Sequence, residues 1–232
     1  MSDASPGVGA GRSTGLFISI EGADGAGKST QIKYLADYFQ TLGHAVVVTR
    51  EPGGVPNSET VRGVLLSNPA DPWAPLNEGF LIAAARCEHV TQLIRPSLAA
   101  GKVVICDRYS DSTLAYQGYG RGVPLADLHE LVAMAEQGVR PDLTIMLDLD
   151  VAASAKRVGD RGEDKTVFET TGDDFRARVR NGFLDLAKAE PNRCRVVDAD
   201  RDEATIAAEI RQIVGAFVAQ RVAAPNEVQA NG

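Results

Sequence analysis

Cysteine is scarce in this chain of 232 residues: Cys87, Cys106 and Cys194 stand far apart and are odd in number. That excludes a disulfide framework, and no Cys or His spacing suggests a metal or redox motif. A cytoplasmic location suits such a chain. Long apolar runs are missing too. Stretches such as 102–106 and 143–147 fall far below the ~18 residues a membrane-spanning helix needs. An excess of positive charge is also absent, because 24 Lys and Arg stand against 31 Asp and Glu, a net charge of −7. This argues against general nucleic-acid binding. Lysine is rare among the cations. Arginine, which grips phosphate in a bidentate way, supplies 18 of the 24. The lone Trp73 lies in a turn, DPWAP, and reads as a packing residue. The first fifteen residues lack the apolar segment of a signal peptide.

What remains is ordinary for a globular protein: 44% apolar and 24% charged residues. The length predicts one domain over 16–222, with disordered tails at 1–15 and 223–232. Five short apolar runs, at 16–20, 45–49, 102–106, 143–149 and 194–197, are rich in β-branched residues. Their near-continuous hydrophobicity predicts strands buried on both faces of a parallel sheet. Helical rhythms lie between them. Ile32, Leu35, Tyr38, Phe39 and Leu42 keep a 3-4 spacing that stops at Gly43. A long helix is expected over 76–100 with a break at Pro96. Others are expected over 124–137 and 205–222. Alternating strands and helices make this an α/β doubly wound fold.

Residues 22–29, GADGAGKS, match G-x-x-x-x-G-K-[ST] between a strand and a helix, the setting that gives the motif meaning. Glycines let backbone N–H groups cradle phosphate oxygens, and the helix N-terminus adds positive potential. Lys28 is placed to reach the β- and γ-phosphates, and Ser29 to ligate Mg²⁺. No guanine-binding N-K-x-D motif or motor-type Asp-Glu strand end accompanies the loop. Instead the third strand ends in Asp107-Arg108-Tyr109, at the carboxyl end of a central strand, where ligands bind in open α/β folds. Asp107 there can hold the shell of a metal, and Arg108 a second anion. Lys156, Arg157, Arg161 and Lys165, interrupted by Gly159 and Gly162, suggest a basic lid at about 155–170. His44, His89 and His129 have no partner pattern and receive no role.

These segments resemble the thymidylate kinase family from about residue 16 to 211. The carriers are FISIEGADGAGKST at 17–30, TREPGG at 49–54, AAAR at 83–86, DRYSDSTLAYQG at 107–118, RPDLTIMLD at 140–148 and RGE at 161–163. The resemblance implies a P-loop nucleoside monophosphate kinase that moves the ATP γ-phosphate to dTMP with Mg²⁺. It also implies a homodimer and a five-stranded parallel sheet in the order 2-3-1-4-5. Carried over, Gly22, Ala23, Asp24, Gly25, Ala26, Gly27, Lys28, Ser29 and Thr30 hold ATP, with Asp198 beside the adenine. Asp24, Arg50, Glu51, Ile82, Arg86, Arg108, Ser112, Tyr116 and Gln117 surround dTMP. Ser29, Asp107 and Glu51 border the metal. Lys28, Arg108, Arg161 and Arg157 act on the transferring group.

Two departures stand out. Gly25 and Ala26 occupy the loop where some relatives carry an arginine, so the further cation is expected from the lid. Ile82 stands where the family places a thymine-stacking Phe, so either Ile82 packs on the base or Phe80 reaches over it.

Overall fold

The structure, a computed structural model, describes residues 15–67, 72–159 and 172–223. Five strands, β1 (Leu16–Gly22), β2 (Val46–Arg50), β3 (Val103–Asp107), β4 (Leu143–Asp148) and β5 (Cys194–Asp198), form one sheet in the order β2-β3-β1-β4-β5, all neighbours parallel. This is the expected order. It puts β1 at the point where the chain turns from one half of the sheet to the other, the crevice where such sheets bind ligands.

The helices are α1 (Lys28–Thr41), α2 (Pro56–Leu66), α3 (Pro75–His89), α4 (Arg95–Ala99), α5 (Ser110–Thr113), α6 (Leu125–Glu136), α7 (Val151–Gly159), α8 (Asp173–Ala189) and α9 (Glu203–Ala223). Two π-helical stretches, Val90–Ile94 and Leu114–Gly120, continue α3 and α5. The break expected at Pro96 is therefore not an interruption. The ladder widens over Val90–Ile94, and Pro96 falls in the first turn of α4, where its missing N–H costs little. Helices α2, α5, α7 and α8 were not anticipated. Helix α2 follows the turn after β2, and α8 carries its apolar stripe, Phe175, Val179, Phe183 and Leu186, between many charges.

Strand alternation divides the core. Leu16, Ile18 and Ile20 meet Ile32, Leu35 and Phe39 of α1 and Ile206, Ile210 and Val214 of α9. Phe17 faces the other layer, where its ring meets Tyr109 edge-on with centroids 5.0 Å apart. Phe175 and Phe183 of α8 pack edge-on against Tyr116. The expectation of two-sided burial holds for β1 and for most of β3 and β4, but fails at the edges. Val48 of β2 is 53% exposed and Val196 of β5 is 43% exposed, because an edge strand has one less-covered side. Leu42, the last residue of the expected apolar rhythm of α1, is also exposed at 57%.

Candidate active site

Register places the chemistry. Ile20 of β1 pairs with Asp107 of β3, so the phosphate loop and the Asp107-Arg108-Tyr109 turn leave the sheet side by side. Gly25 and Gly27 take left-handed φ values of 82° and 85°, which turn the loop into the N-terminus of α1. Lys28 Nζ donates to Gly22 O at 3.2 Å and Ala23 O at 3.0 Å. Burial and the nearby Arg108 charge push the Lys28 ammonium down to about 8. Ser154 of α7 closes the far side of the loop, its hydroxyl donating to Asp24 O at 2.7 Å.

Arg108 has φ 67°, an uncommon conformation for a residue with a side chain. Such backbone persists where surrounding contacts hold it. Arg108 Nη1 donates to Gly22 O at 3.0 Å and Ser112 Oγ at 3.2 Å. Its Nη2 donates to Asp24 Oδ1 at 2.6 Å and Tyr116 Oη at 3.1 Å. Burial would raise the Asp24 carboxyl, but the Arg108 and Lys28 charges hold it below its ordinary value. Glu21, fully buried one residue before the loop, accepts from Tyr109 N at 2.6 Å and Ser112 Oγ at 2.5 Å.

These groups open into one cleft of about 300 Å³. Its lining carries four cations, Lys28, Arg62, Arg86 and Arg108, against three carboxylates, Asp24, Glu51 and Asp107. The cleft thus leans positive in a chain of net charge −7, which suits an anionic ligand. Arg86 is 1% exposed; Nε donates to Glu51 Oε2 at 2.7 Å and Nη2 to Thr113 Oγ1 at 3.0 Å. Arg86 Nη1, Asp107 Oδ1 and Gln117 Oε1 are buried with no hydrogen-bond partner among the described residues. All three residues line the cleft, and buried polar atoms left single are costly unless a ligand meets them.

Among the residues expected here, Asp24, Gly25, Gly27, Lys28, Ser29, Glu51, Ile82, Arg86, Asp107, Arg108, Ser112, Tyr116 and Gln117 line the cleft. Ile82 contributes to it, whereas Phe80 is 55% exposed and does not. Arg50 turns outward to Glu59, with Nη2 3.0 Å from Oε2. Arg157 Nη1 donates to Ala199 O at 3.2 Å, and Nη2 lies 3.4 Å from Asp200 Oδ1. Asp198 ends β5, where Oδ1 accepts from Asp200 N at 2.9 Å. Arg161 and Lys165, most of the expected lid, and most of both expected tails lie outside the described residues. Sequence reasoning missed Arg62, whose Nη1 donates to Pro52 O at 2.9 Å, because a lone arginine in a helix carries no pattern. It also missed Glu21 and His89. The Arg86-to-His89 spacing, one helical turn, was the available signal for the latter.

The thymidylate kinase family model matches residues 20–210. A thymidylate kinase of Caulobacter vibrioides is 46% identical over 200 residues, covering 86% of this chain and 96% of the relative. One from Deinococcus radiodurans is 48% identical over 198 residues, covering 85% and 95%. The crystal structure of a thymidylate kinase from Ehrlichia chaffeensis superposes with a TM-score of 0.69 at 36% identity, covering 86% of this chain and 98% of that one. Sequence, fold and cleft agree, and the chain belongs to the thymidylate kinase family.

Proposed function

We propose that the chain transfers the γ-phosphate of ATP to dTMP, giving dTDP and ADP. The observation that carries this reading is the single cleft shared by the phosphate loop and the buried edge of Arg86. A donor phosphate on the loop and a dTMP gripped by Arg86 and Arg108 at its phosphate and thymine region would share that space. Phosphoryl transfer needs alignment and charge neutralisation more than covalent help. The acceptor oxygen of dTMP is already anionic, so no general base is required.

In this reading the amides of residues 22–29 and Lys28 hold the ATP phosphates, with Thr30 next in α1 and Asp198 on the adenine side. Ile82 packs on the base, and Gln117 Oε1 is the acceptor that a thymine N3–H would meet. Ser112, Tyr116 and Asp24 take the sugar side. The Tyr116 ring, with the Arg108 guanidinium 4.9 Å from its centroid, fills the space a 2′-hydroxyl would need. Arg50, turned to Glu59 outside the cleft lining, would border the monophosphate only by leaving that partner. Arg161, then Arg157, supplies the lid cation.

Ser29 and Asp107 fit Mg²⁺. The unpartnered Asp107 Oδ1 is an oxygen donor at the mouth of the loop. No cluster of three metal-ligating side chains occurs among the described residues. A site with one or two protein oxygens plus substrate phosphates suits Mg²⁺. When bound, the ion supplies charge neutralisation at the β- and γ-phosphates. Leu76 and Phe80 of α3 and Met134 of α6, exposed on neighbouring helices, support a homodimer. Among the described residues no helix is long and apolar enough to cross a membrane. The unpaired cysteines support a cytoplasmic location. The same reading takes 16–222 as one kinase domain.

A coupled assay of ADP release with dTMP, dUMP, dCMP, dGMP and AMP tests the proposal. dTMP should give the highest kcat/KM. Equal or better use of another monophosphate would reject the assignment.

A further inference from the structure

The segment TREPGG leaves β2 and supplies the cleft with Glu51 alone among its charged residues. Its Thr49 and Glu51 side chains both meet a buried histidine. His89 has no exposed surface, and its Nδ1 lies 3.0 Å from Glu51 Oε1. On the far side of the ring, Nε2 lies 2.7 Å from Thr49 Oγ1. Glu51 Oε2 in turn accepts from Arg86 Nε at 2.7 Å. The four groups therefore form one chain from Thr49 through His89 and Glu51 to Arg86.

Donors and acceptors assign its direction. A carboxylate only accepts, so His89 Nδ1 carries a proton and donates to Glu51. In the neutral ring Nε2 is then the acceptor, and the Thr49 hydroxyl donates to it. With one donor on each oxygen, the Glu51 carboxylate has a fixed plane. That plane sets the Arg86 guanidinium, whose Nη2 is pinned by Thr113 and whose buried Nη1 is left without a partner in a residue that lines the cleft. The backbone is shaped to the same end. Gly54 has φ +89°, and a Cβ there would stand 2.4 Å from Thr49 Oγ1 and 2.5 Å from His89 Nε2. The turn thus wraps directly against the imidazole.

A cluster of buried polar groups is a poor way to gain stability, since apolar residues of equal volume often serve as well. What it supplies is a single orientation. We propose that His89, backed by Thr49, is a positioning residue that locks Glu51 and so fixes the orientation in which Arg86 meets the acceptor nucleotide. The proposal rests on the reading of the cleft as a dTMP site.

Two substitutions in the full chain separate orientation from mere filling. In His89→Asn the side-chain amide falls near the position of Nδ1 and can still donate to Glu51. In His89→Gln the amide reaches the position of Nε2 and leaves Glu51 short of a donor. Steady-state assays with dTMP and ATP varied separately should show dTMP KM raised about tenfold in His89→Gln, the scale of one hydrogen bond to a charged group. ATP KM should hold, and His89→Asn should keep most of the wild-type dTMP KM. Equal effects of both variants, following their Tm, would show a structural role only and overturn the proposal. So would an unchanged dTMP KM in His89→Gln.

If neither variant folds, Thr49→Val and Thr49→Ser take their place. The first removes the hydroxyl at near-constant volume and should raise dTMP KM selectively. The second keeps the hydroxyl and should restore it, and no difference between them overturns the proposal. Wild-type protein that fails to phosphorylate dTMP would reject the site reading itself, and this inference with it. An active wild type with indifferent variants would reject this inference alone.

Discussion

Lys28 is a buried ammonium held by two loop carbonyls, and the neighbouring Arg108 charge adds to the cost of its protonated state. Such a group gains most when phosphate oxygens arrive, and its charge acts where negative charge shifts during transfer. Lys28→Ala is expected to lower kcat by at least two orders of magnitude, about 2.7 kcal/mol. The fold should persist, so circular dichroism alongside the assay checks that the loss is chemical. Glu21 carries a second prediction. Burial first, then the Asp111 charge, push its carboxyl from the ordinary 4.5 up to about 8. The folded chain thus holds this proton more tightly than the unfolded chain does. Its stabilising contribution is whole below pH 4.5 and is lost as pH rises through about 8. Calorimetry between about pH 6 and pH 9 should show wild-type Tm falling through this group, and Glu21→Gln should flatten that part of the profile. A variant that keeps the wild-type slope would locate the titration elsewhere.

At the scale of elements, the sheet supplies register and the helices supply faces. The π-helical stretch Leu114–Gly120 carries Tyr116 and Gln117 into the cleft, and α8 packs across it. That contact runs through Gly182. A Cβ there would stand 2.8 Å from Tyr119 Cβ and 2.7 Å from Tyr119 Cγ. Replacing a mid-helix glycine by alanine gains about 1 kcal/mol of propensity. Overpacking costs about 1–3 kcal/mol, and a clash at the root of a side chain belongs at the upper end of that range. Gly182→Ala should therefore lose about 2 kcal/mol net in urea unfolding. A gain in stability would mean that α8 sits farther from the π-helical stretch.

The whole molecule sets a cationic cleft inside an acidic chain, which draws small anions to one place while leaving the outer surface unsuited to polyanions. It also leaves apolar side chains uncovered on α3 and α6: Leu76 is 41%, Phe80 55% and Met134 66% exposed. A second copy of this chain is the expected cover. In sedimentation the wild type should run at twice the 24.6 kDa chain mass, and Phe80→Glu should shift it towards 24.6 kDa. A wild-type monomer at micromolar concentration would reject the dimer.

Sequence alone determined what depends on local order. The alternation of apolar strands and amphipathic helices marked the α/β class. The glycine spacing before Lys28 marked the phosphate loop, because that geometry is made by adjacent backbone. The resemblance supplied the strand order that the sheet has. Tertiary structure alone decided how distant side chains meet. Arg50 and Glu51 are neighbours in sequence, yet one turns to Glu59 outside and the other to Arg86 within. Ile82 and Phe80 share one helix, and its rotation against α6 puts only Ile82 in the cleft. The one-turn spacing from Arg86 was the only local sign of His89, because its partners, Thr49 and Glu51, lie about forty residues away, in and just after β2. Local periodicity records which face of an element is apolar. A buried polar contact between elements leaves no such period and exists only once the sheet has brought them together.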